Sequence, residues 1–340
     1  MTVNYEVTSG VRSGNVRAVV VQAAPVLFDT PKSLRKLADL SSDAANKGAE
    51  LVVFPEAFIG GYLKGHDFGV SLGRRSPEGR EEFRRLFESS IEVPGPATEF
   101  IGSVAKDHAT HLVVGVIERD GGTLCCTALI FGPDGQLLGK HRKLMPTAME
   151  RVIWGSGDGS TIPVVTTTLG KIGSVICWEN YMPLLRTAMY AKGIELYCAI
   201  TVDDRETWIP TVRHIALEGR CFVLSACQFV QRSDLPSGYP IEWLPTSEDA
   251  LIRGGSCIVG PLGQILAGPK YGEECVLVAD LDRADLVRAK FDFDVVGHYS
   301  RPEVFRLDVN ERPMKSVNFS GRHDCPTSSP DRDAAEEISQ

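Results

Sequence analysis

The chain has 340 residues, of which 43% are hydrophobic, so it is long enough for one large domain or two ordinary ones around a sizeable core. Its net charge of −8 argues against broad binding of nucleic acids or anionic membranes. The N-terminus has no apolar signal segment, and no hydrophobic run approaches a membrane span. Nine scattered cysteines, with neither Cys-x-x-Cys nor zinc spacing, indicate a cytoplasmic protein rather than a disulfide-bonded one.

Strands and helices alternate in the first half of the chain. Thr30-Pro31, Ser76-Pro77 and Gly95-Pro96 each predict the start of a helix. Apolar and β-branched runs predict strands at 16–22, 50–56 and 111–117, and a hairpin of strands 123–131 and 136–143.

The second half repeats this order of elements without repeating residues. Strands are predicted at 171–177, 195–200, 221–227, 256–259, 264–267 and 275–281, and helices at 181–192 and 206–219. Two mixed sheets packed face to face, with helices on both outer sides, would bury these apolar strands. No linker divides the halves, so we predict an α/β protein with a single domain over 15–311. The polar residues 1–14 and the tail 312–340 are predicted to be disordered.

Residues 170–180 predict a strand that runs into a sharp turn. Asn180 is predicted to cap the helix over 181–192, which places Cys177 between the carboxyl end of a strand and a helix N-terminus. That position would lower the pKa of a thiol from its usual ~8.5. The alternative is that Cys177 is a small buried apolar residue.

Glu56 and Lys143 also follow predicted apolar strands. If these strands run in the same direction, both side chains converge with Cys177 at one edge. A thiol that attacks an electrophilic carbon needs a base, and an ammonium can stabilise the negative charge that develops. The alternatives are a loop carboxylate for Glu56 and a solvated basic run at 140–143 for Lys143.

Three other patterns favour structural roles. The glycine-rich segment 155–160 lacks the Walker lysine and does not lead into a helix, which favours a turn over a phosphate site. No local pattern pairs Cys177 with any of the seven histidines. The four tryptophans are interpreted as packing residues.

Three motifs, in order along the chain, carry a resemblance to a known family. They are Phe-Pro-Glu56 with Gly60-Gly-Tyr62, His141-Arg-Lys143-Leu-Met-Pro-Thr147 with Glu150-Arg-x-x-Trp154-Gly-x-Gly-Asp-Gly-Ser160, and Cys177-Trp-Glu-Asn180. Together they resemble the nitrilase branch of the carbon–nitrogen hydrolase superfamily, from about residue 16 to about residue 305. Residues 181–228 are most similar to plant-type and bacterial arylacetonitrile or aliphatic nitrilases.

The resemblance implies a four-layer αββα sandwich and a set of roles for the motif residues. It implies that Glu56 is the general base, that Lys143 stabilises the intermediate and that Cys177 is the nucleophile. Glu150 matches a second glutamate that orients the others. Tyr62 and Trp178 are expected to bind substrate, the latter through its backbone N–H, with pocket walls from loops near 61–68 and 201–208. The family uses neither a metal nor an organic cofactor.

The implied reaction is hydrolysis of a small-molecule nitrile to a carboxylic acid and ammonia through a thioimidate and a thioester. Amidase relatives share the Glu–Lys–Cys set, so an amidase or a cyanide-degrading hydrolase remains an alternative. A non-catalytic assembly protein on the same fold is another.

The resemblance also implies dimers that stack into spirals or helical filaments. The helices over 181–192 and 206–219 would form the contact between subunits. The first of them would contribute the apolar residues Met182, Leu184, Leu185, Met189 and Tyr190. The segment after Leu281, including 298–302, would cross to a partner subunit. No nucleic acid or membrane partner is expected.

Overall fold

The structure is a computed structural model that describes residues 14–240, 250–314 and 317. The disorder predicted for the two ends therefore falls almost wholly outside the described residues. None of the helices in the described part of the chain combines the length and the apolar character needed to cross a lipid bilayer.

Fifteen strands and seven α-helices make up the described chain. The strands are β1 (Asn15–Gln22), β2 (Leu51–Val53), β3 (Val70–Ser71), β4 (Arg74–Arg75), β5 (His111–Asp120), β6 (Thr123–Phe131), β7 (Leu137–Arg142), β8 (Val164–Thr167), β9 (Gly170–Ile176), β10 (Leu196–Thr201), β11 (Phe222–Cys227), β12 (Phe229–Gln231), β13 (Ala250–Val259), β14 (Ile265–Tyr271) and β15 (Cys275–Asp282). The helices are α1 (Thr30–Asn46), α2 (Pro77–Ser89), α3 (Pro96–Asp107), α4 (Glu150–Ile153), α5 (Pro183–Ala191), α6 (Trp208–Gly219) and α7 (Ala284–Ala289).

Two large mixed sheets carry the fold. The first has the order β15–β1–β2–β5–β6–β7. In it β1, β2 and β5 are parallel, and β6 is antiparallel to both β5 and β7, so β7 runs in the same direction as β2. The second has the order β12–β13–β11–β10–β9–β8, with parallel β9, β10 and β11 at its centre and β14 paired to β13.

Alternating side chains of each sheet divide the core into layers. On β1, Ala18 and Val20 belong to the cluster between the two sheets, whereas Val19 and Val21 pack toward α1 and α3. On the second sheet Val175 and Tyr197 pack against α5 and α6. The predicted sandwich, with helices outside two facing sheets, is confirmed.

The prediction of element boundaries was wrong in several places. The strand predicted over 50–56 ends at Val53, because the chain turns away at Pro55 and Glu56. The strand predicted at 256–259 begins at Ala250. The helix predicted over 181–192 begins only at Pro183, after a 3-10 turn over Cys177–Tyr181. Several short elements, including α4 and β8, were not predicted.

Candidate active site

The two sheets bring Glu56, Lys143 and Cys177 together. Glu56 follows β2 and Lys143 follows β7, and these strands run in the same direction in the first sheet. Cys177 follows β9 in the second sheet. Lys143 Nζ lies 2.8 Å from Glu56 Oε1, and the three side chains are buried. The predicted convergence is confirmed.

The backbone carries Glu56 into the interior through close contact with β5. A Cβ atom at Gly115 of β5 would lie 2.2 Å from the carbonyl oxygen of Pro55 and 2.6 Å from Glu56 Cα. Only glycine leaves room for this approach. Ala57, the next residue, has a φ of +51°, so the turn after Glu56 holds a backbone conformation that is rare for a residue with a side chain.

Cys177 also has a left-handed backbone conformation, with a φ of +51°. Asn180 secures this turn, since its Nδ2 donates to the carbonyl oxygens of Cys177 (2.7 Å) and Val175 (3.2 Å). The prediction that Asn180 caps the following helix was wrong, because that helix has Met182 at its N-cap.

The pKa of the Cys177 thiol is raised, not lowered as the sequence predicted. Burial is the main cause, and the neighbouring Glu56 adds to it, while Lys143 and a hydrogen bond from Thr201 lower the pKa less. Thr201 Oγ1 donates to Cys177 Sγ at 3.2 Å. The Cys177 side chain is therefore a neutral thiol, which would need a base to act as a nucleophile.

Lys143 is an interior ammonium between two carboxylates. Its Nζ donates to Glu56 Oε1 at 2.8 Å and to Glu150 Oε2 at 2.7 Å. Burial lowers the pKa of Lys143, but the surrounding acidic groups raise it more, so this pKa lies well above its ordinary value. Lys140 and Arg142 both pair with the buried Glu118 at 2.6 Å. The alternative of a solvated basic run is therefore wrong.

Glu56 has the properties of a general base. Burial raises the pKa of its carboxyl group above the ordinary value, opposed by Lys143 and reinforced by Glu150. Its Oε1 accepts from Lys143, whereas Oε2 has no hydrogen-bond partner among the described residues. A buried carboxylate oxygen without a donor is free to accept a proton from a thiol or a water molecule.

Glu150 and Tyr62 surround the lysine. Glu150, the first residue of α4, accepts from Thr147 N at 2.7 Å through Oε2 and from the Tyr62 hydroxyl at 2.8 Å through Oε1. Tyr62 in turn packs edge-on against Trp154, with ring centroids 5.8 Å apart. These contacts hold the lysine in one orientation.

A cavity of about 230 Å³ opens onto Cys177. The two predicted loops contribute wall residues such as Tyr62 and Asp203, and Glu150 and Trp178 line the cavity from outside these loops. The Trp178 indole donates to Asp203 Oδ2 at 2.9 Å, and its side chain lies at the entrance. A second cavity of about 240 Å³ shares Tyr62, Lys64, Thr147 and Glu150 with the first and is otherwise mostly apolar, which suits the carbon skeleton of a small organic substrate.

Several residues that were not predicted from the sequence touch Glu56 or Cys177. Cys126 Sγ lies 3.5 Å from Glu56 Oε1, and Gln228 Nε2 donates to the carbonyl oxygen of Glu56 at 2.7 Å. Thr201 ends β10 and Gln228 follows β11, so both lie at the carboxyl end of a strand, as Cys177 does. The criterion that singled out Cys177 in the sequence therefore predicts both residues as well. Cys126 lies inside β6, and no local pattern distinguishes it.

The remaining sequence patterns have structural roles. Segment 155–160 forms a turn in which Gly157 N donates to the carbonyl oxygen of Lys143 at 2.8 Å. His141 pairs with Glu179, not with Cys177. The described residues contain no cluster of three or more His, Cys, Asp or Glu able to hold a metal ion.

Residues 17–291 match the model of the carbon–nitrogen hydrolase family. The chain belongs to the carbon–nitrogen hydrolase family. An aliphatic nitrilase from Sinorhizobium fredii (strain HH103) is 58% identical over 301 residues, which cover 88% of this chain and 97% of that protein. The bifunctional nitrilase/nitrile hydratase NIT4A of Nicotiana tabacum is 56% identical over 320 residues, covering 93% and 92%.

The sandwich recurs in solved structures of carbon–nitrogen hydrolase relatives. Nit3 of Saccharomyces cerevisiae, a member of branch 10 of the nitrilase superfamily, superposes with a TM-score of 0.63 at 22% identity and covers 84% of this chain and 96% of that one. At that identity the likeness supports the fold alone. Within this hydrolase fold, a buried thiol, a base and an ammonium suit nucleophilic attack at an unsaturated carbon bonded to nitrogen.

Proposed function

We propose that this carbon–nitrogen hydrolase is a nitrilase that converts R–C≡N and two water molecules to R–COOH and ammonia. The observation that carries the proposal is the position of Lys143, which bridges Glu56 and Glu150 beside the Cys177 cavity. Nitrilases at 55–58% identity over most of the chain support nitriles as the substrate class. The intact set of reacting groups argues against a non-catalytic assembly protein.

The first step transfers the Cys177 proton to Glu56 as the sulfur adds to the nitrile carbon. The C≡N bond becomes C=N, and the nitrogen receives the proton to give a thioimidate. The raised pKa of the thiol makes proton removal by Glu56 part of the attack. Lys143 and the backbone N–H of Trp178 stabilise the charge that develops on nitrogen, and Glu150 orients Lys143.

The second step uses the regenerated Glu56 carboxylate. It takes a proton from water as the oxygen adds to the thioimidate carbon, and it passes this proton to the nitrogen, which becomes an amine. The proton of the new hydroxyl group then also transfers to the nitrogen through Glu56 as the C=O bond forms and the C–N bond breaks, so ammonia leaves. A thioester on Cys177 remains. A second water, activated in the same way, releases the carboxylic acid and returns the thiol. Tyr62 and Trp178 contact the substrate at the cavity wall.

The tetrahedral intermediate of the second step has two leaving groups. Loss of nitrogen leads to the acid, whereas loss of sulfur releases the amide R–CONH₂. Several similar plant proteins are described as bifunctional nitrilase/nitrile hydratases. We therefore propose amide as a second product of this site.

A substrate panel tests the function. Purified protein is assayed for ammonia, acid and amide with aliphatic nitriles, arylacetonitriles, the matched amides and cyanide, each before and after treatment with a chelator. Nitriles are expected to give acid and ammonia with a smaller amide fraction, at a rate that the chelator does not change. If only the amides are turned over, the amidase alternative replaces the proposal. If only cyanide is turned over, the cyanide-degrading alternative replaces it.

Two further properties belong to the same proposal. We propose that the hydrolase forms one domain over 15–311, since the inter-sheet core draws on both halves of the described chain. We also propose a cytoplasmic location, because the eight cysteines in the described residues are all free thiols.

We propose that the enzyme assembles into a homo-oligomer larger than a dimer through α5 and α6. The apolar surface is smaller than the sequence predicted, because Leu185, Met189 and Tyr190 pack into the core. Leu184 of α5 and Leu217 of α6 nevertheless remain 65% and 41% exposed. Phe305, in the segment after Leu281, is 79% exposed, which agrees with a partner subunit that covers it.

The substitution Leu184→Glu tests the assembly. It should lower both the sedimentation coefficient and the activity, because the contact lies next to the turn that holds Cys177. Leu72→Glu is the control, since Leu72 is also exposed but lies in the turn between β3 and β4, outside α5 and α6. A fully active wild-type monomer at assay concentration would contradict the proposal.

A further inference from the structure

Glu179 is a buried carboxylate in the turn that follows the nucleophile. It is 1% exposed and lies in the 3-10 turn over Cys177–Tyr181. None of the reaction steps above uses it. A charge buried this deeply is tolerated only where donors satisfy it, so its partners indicate what it does.

Two of its donors are backbone amides next to the reacting residues. The N–H of Leu144, which directly follows Lys143, donates to Glu179 Oε1 at 2.6 Å. The N–H of Ile176, which directly precedes Cys177, donates to Oε2 at 3.0 Å. Lys143 follows a strand of the first sheet and Cys177 a strand of the second. One carboxylate thus joins the ends of two strands from facing sheets.

His141 supplies the third donor and the opposite charge. Its Nε2 lies 3.0 Å from Glu179 Oε2, and its Nδ1 faces the carbonyl oxygen of Thr161. Because both ring nitrogens face acceptors, both carry protons and the ring is an imidazolium. His141 lies on β7, two residues before Lys143, so this ion pair also holds the strand end that carries the lysine.

We propose that Glu179 is a positioning residue that sets the separation between the Lys143 ammonium and the Cys177 sulfur by binding both backbones at once. The substrate carbon and nitrogen must fit between these two groups, and a misplacement of about 1 Å can cost about 10²-fold in rate. Because the bonds go to main-chain amides, they constrain the backbone from which each reacting side chain projects. The inference rests on the hydrolytic function proposed above.

The isosteric substitution Glu179→Gln tests this role. The amide nitrogen that replaces one carboxylate oxygen can only donate, so one of the two backbone N–H groups loses its acceptor. The value of kcat should fall by about 10- to 100-fold with KM changed less than about two-fold, because groups that act in the transition state are displaced while the cavity remains. The second-order rate of Cys177 alkylation by iodoacetamide should fall in parallel.

Glu195→Gln is the matched control. Glu195 Oε2 accepts from the backbone N–H of Lys171 at 2.8 Å, at the opposite end of the same strand β9. This variant should lose thermal stability while kcat and the alkylation rate stay within about two-fold of wild type. If Glu179→Gln changes only the melting temperature, as the control does, Glu179 has no positioning role.

A second variant keeps the test decisive if Glu179→Gln does not fold. His141→Gln leaves the carboxylate in place and removes its counter-charge, so kcat and the alkylation rate should fall by about three- to ten-fold with KM unchanged. Unchanged values of both rates would overturn the proposal. The alkylation assay is also independent of turnover: if wild-type protein hydrolyses no nitrile, the proposed function fails while the ratio of alkylation rates still tests the positioning role.

Discussion

Replacement of Cys177 by alanine is expected to abolish nitrile hydrolysis, with a loss on the order of 10⁶-fold in kcat, the scale seen when a nucleophile is removed from a hydrolase. The physical reason is that Glu56, Lys143 and Glu150 can polarise a nitrile and activate water, but none of them can form the thioimidate. The fold should survive, because alanine fits the same turn and Cys177 contributes one weak hydrogen bond, from Thr201.

The covalent intermediate gives this prediction a direct readout. Wild-type enzyme quenched rapidly during turnover should show an acyl adduct by intact-protein mass spectrometry, mapped to the peptide that contains Cys177. Cys198→Ala is the matched control, since Cys198 is equally buried, in the neighbouring strand β10, and should retain both adduct and turnover. An adduct on another peptide, or an active Cys177→Ala protein, would contradict the assignment.

The position of a residue at the end of a strand explains why the convergence of Glu56, Lys143 and Cys177 was predictable from sequence. Glu56, Lys143 and Cys177 each follow a strand whose apolar character or hairpin is visible in the sequence, and parallel directions then bring such residues to one edge. The layers of the sandwich were also predictable, because strands such as β10 are apolar on both faces. Such a strand must be covered on one side by the facing sheet and on the other by helices. Neither inference requires knowledge of how side chains contact one another.

The electrostatics of the site could not be predicted in the same way. The expected fall in the pKa of Cys177 considered only a helix N-terminus. In the structure α5 begins only at Pro183, six residues after Cys177, and the thiol is buried beside Glu56. Burial is therefore the largest influence on the pKa of Cys177. Glu179 was part of a recognised motif, yet its bonds to Leu144 and His141 cross between sheets. Such contacts depend on tertiary packing that local sequence does not encode.

Glu56→Gln is expected to lower kcat/KM by at least about 10²-fold, the usual contribution of a general base. Glutamine keeps the size of the side chain and can still accept from Lys143, but it cannot take a proton from the thiol or from water. Glu118→Gln provides a matched buried carboxylate: Glu118 is paired with Lys140 and Arg142, but it is not among the groups that shift the pKa of Cys177. That variant should lose stability and keep its catalytic rate.

The pH profile distinguishes a base from a structural carboxylate. Glu56 acts only when ionised, and its pKa is raised by burial, so kcat/KM of wild-type enzyme should fall as the pH drops through a value above that of an ordinary glutamate. Lys143 lowers the pKa of Glu56, so Lys143→Ala should move this acid limb to higher pH, besides lowering the plateau about 10²-fold through loss of charge stabilisation. An acid limb that stays in place in Lys143→Ala would mean that a group other than Glu56 is the base.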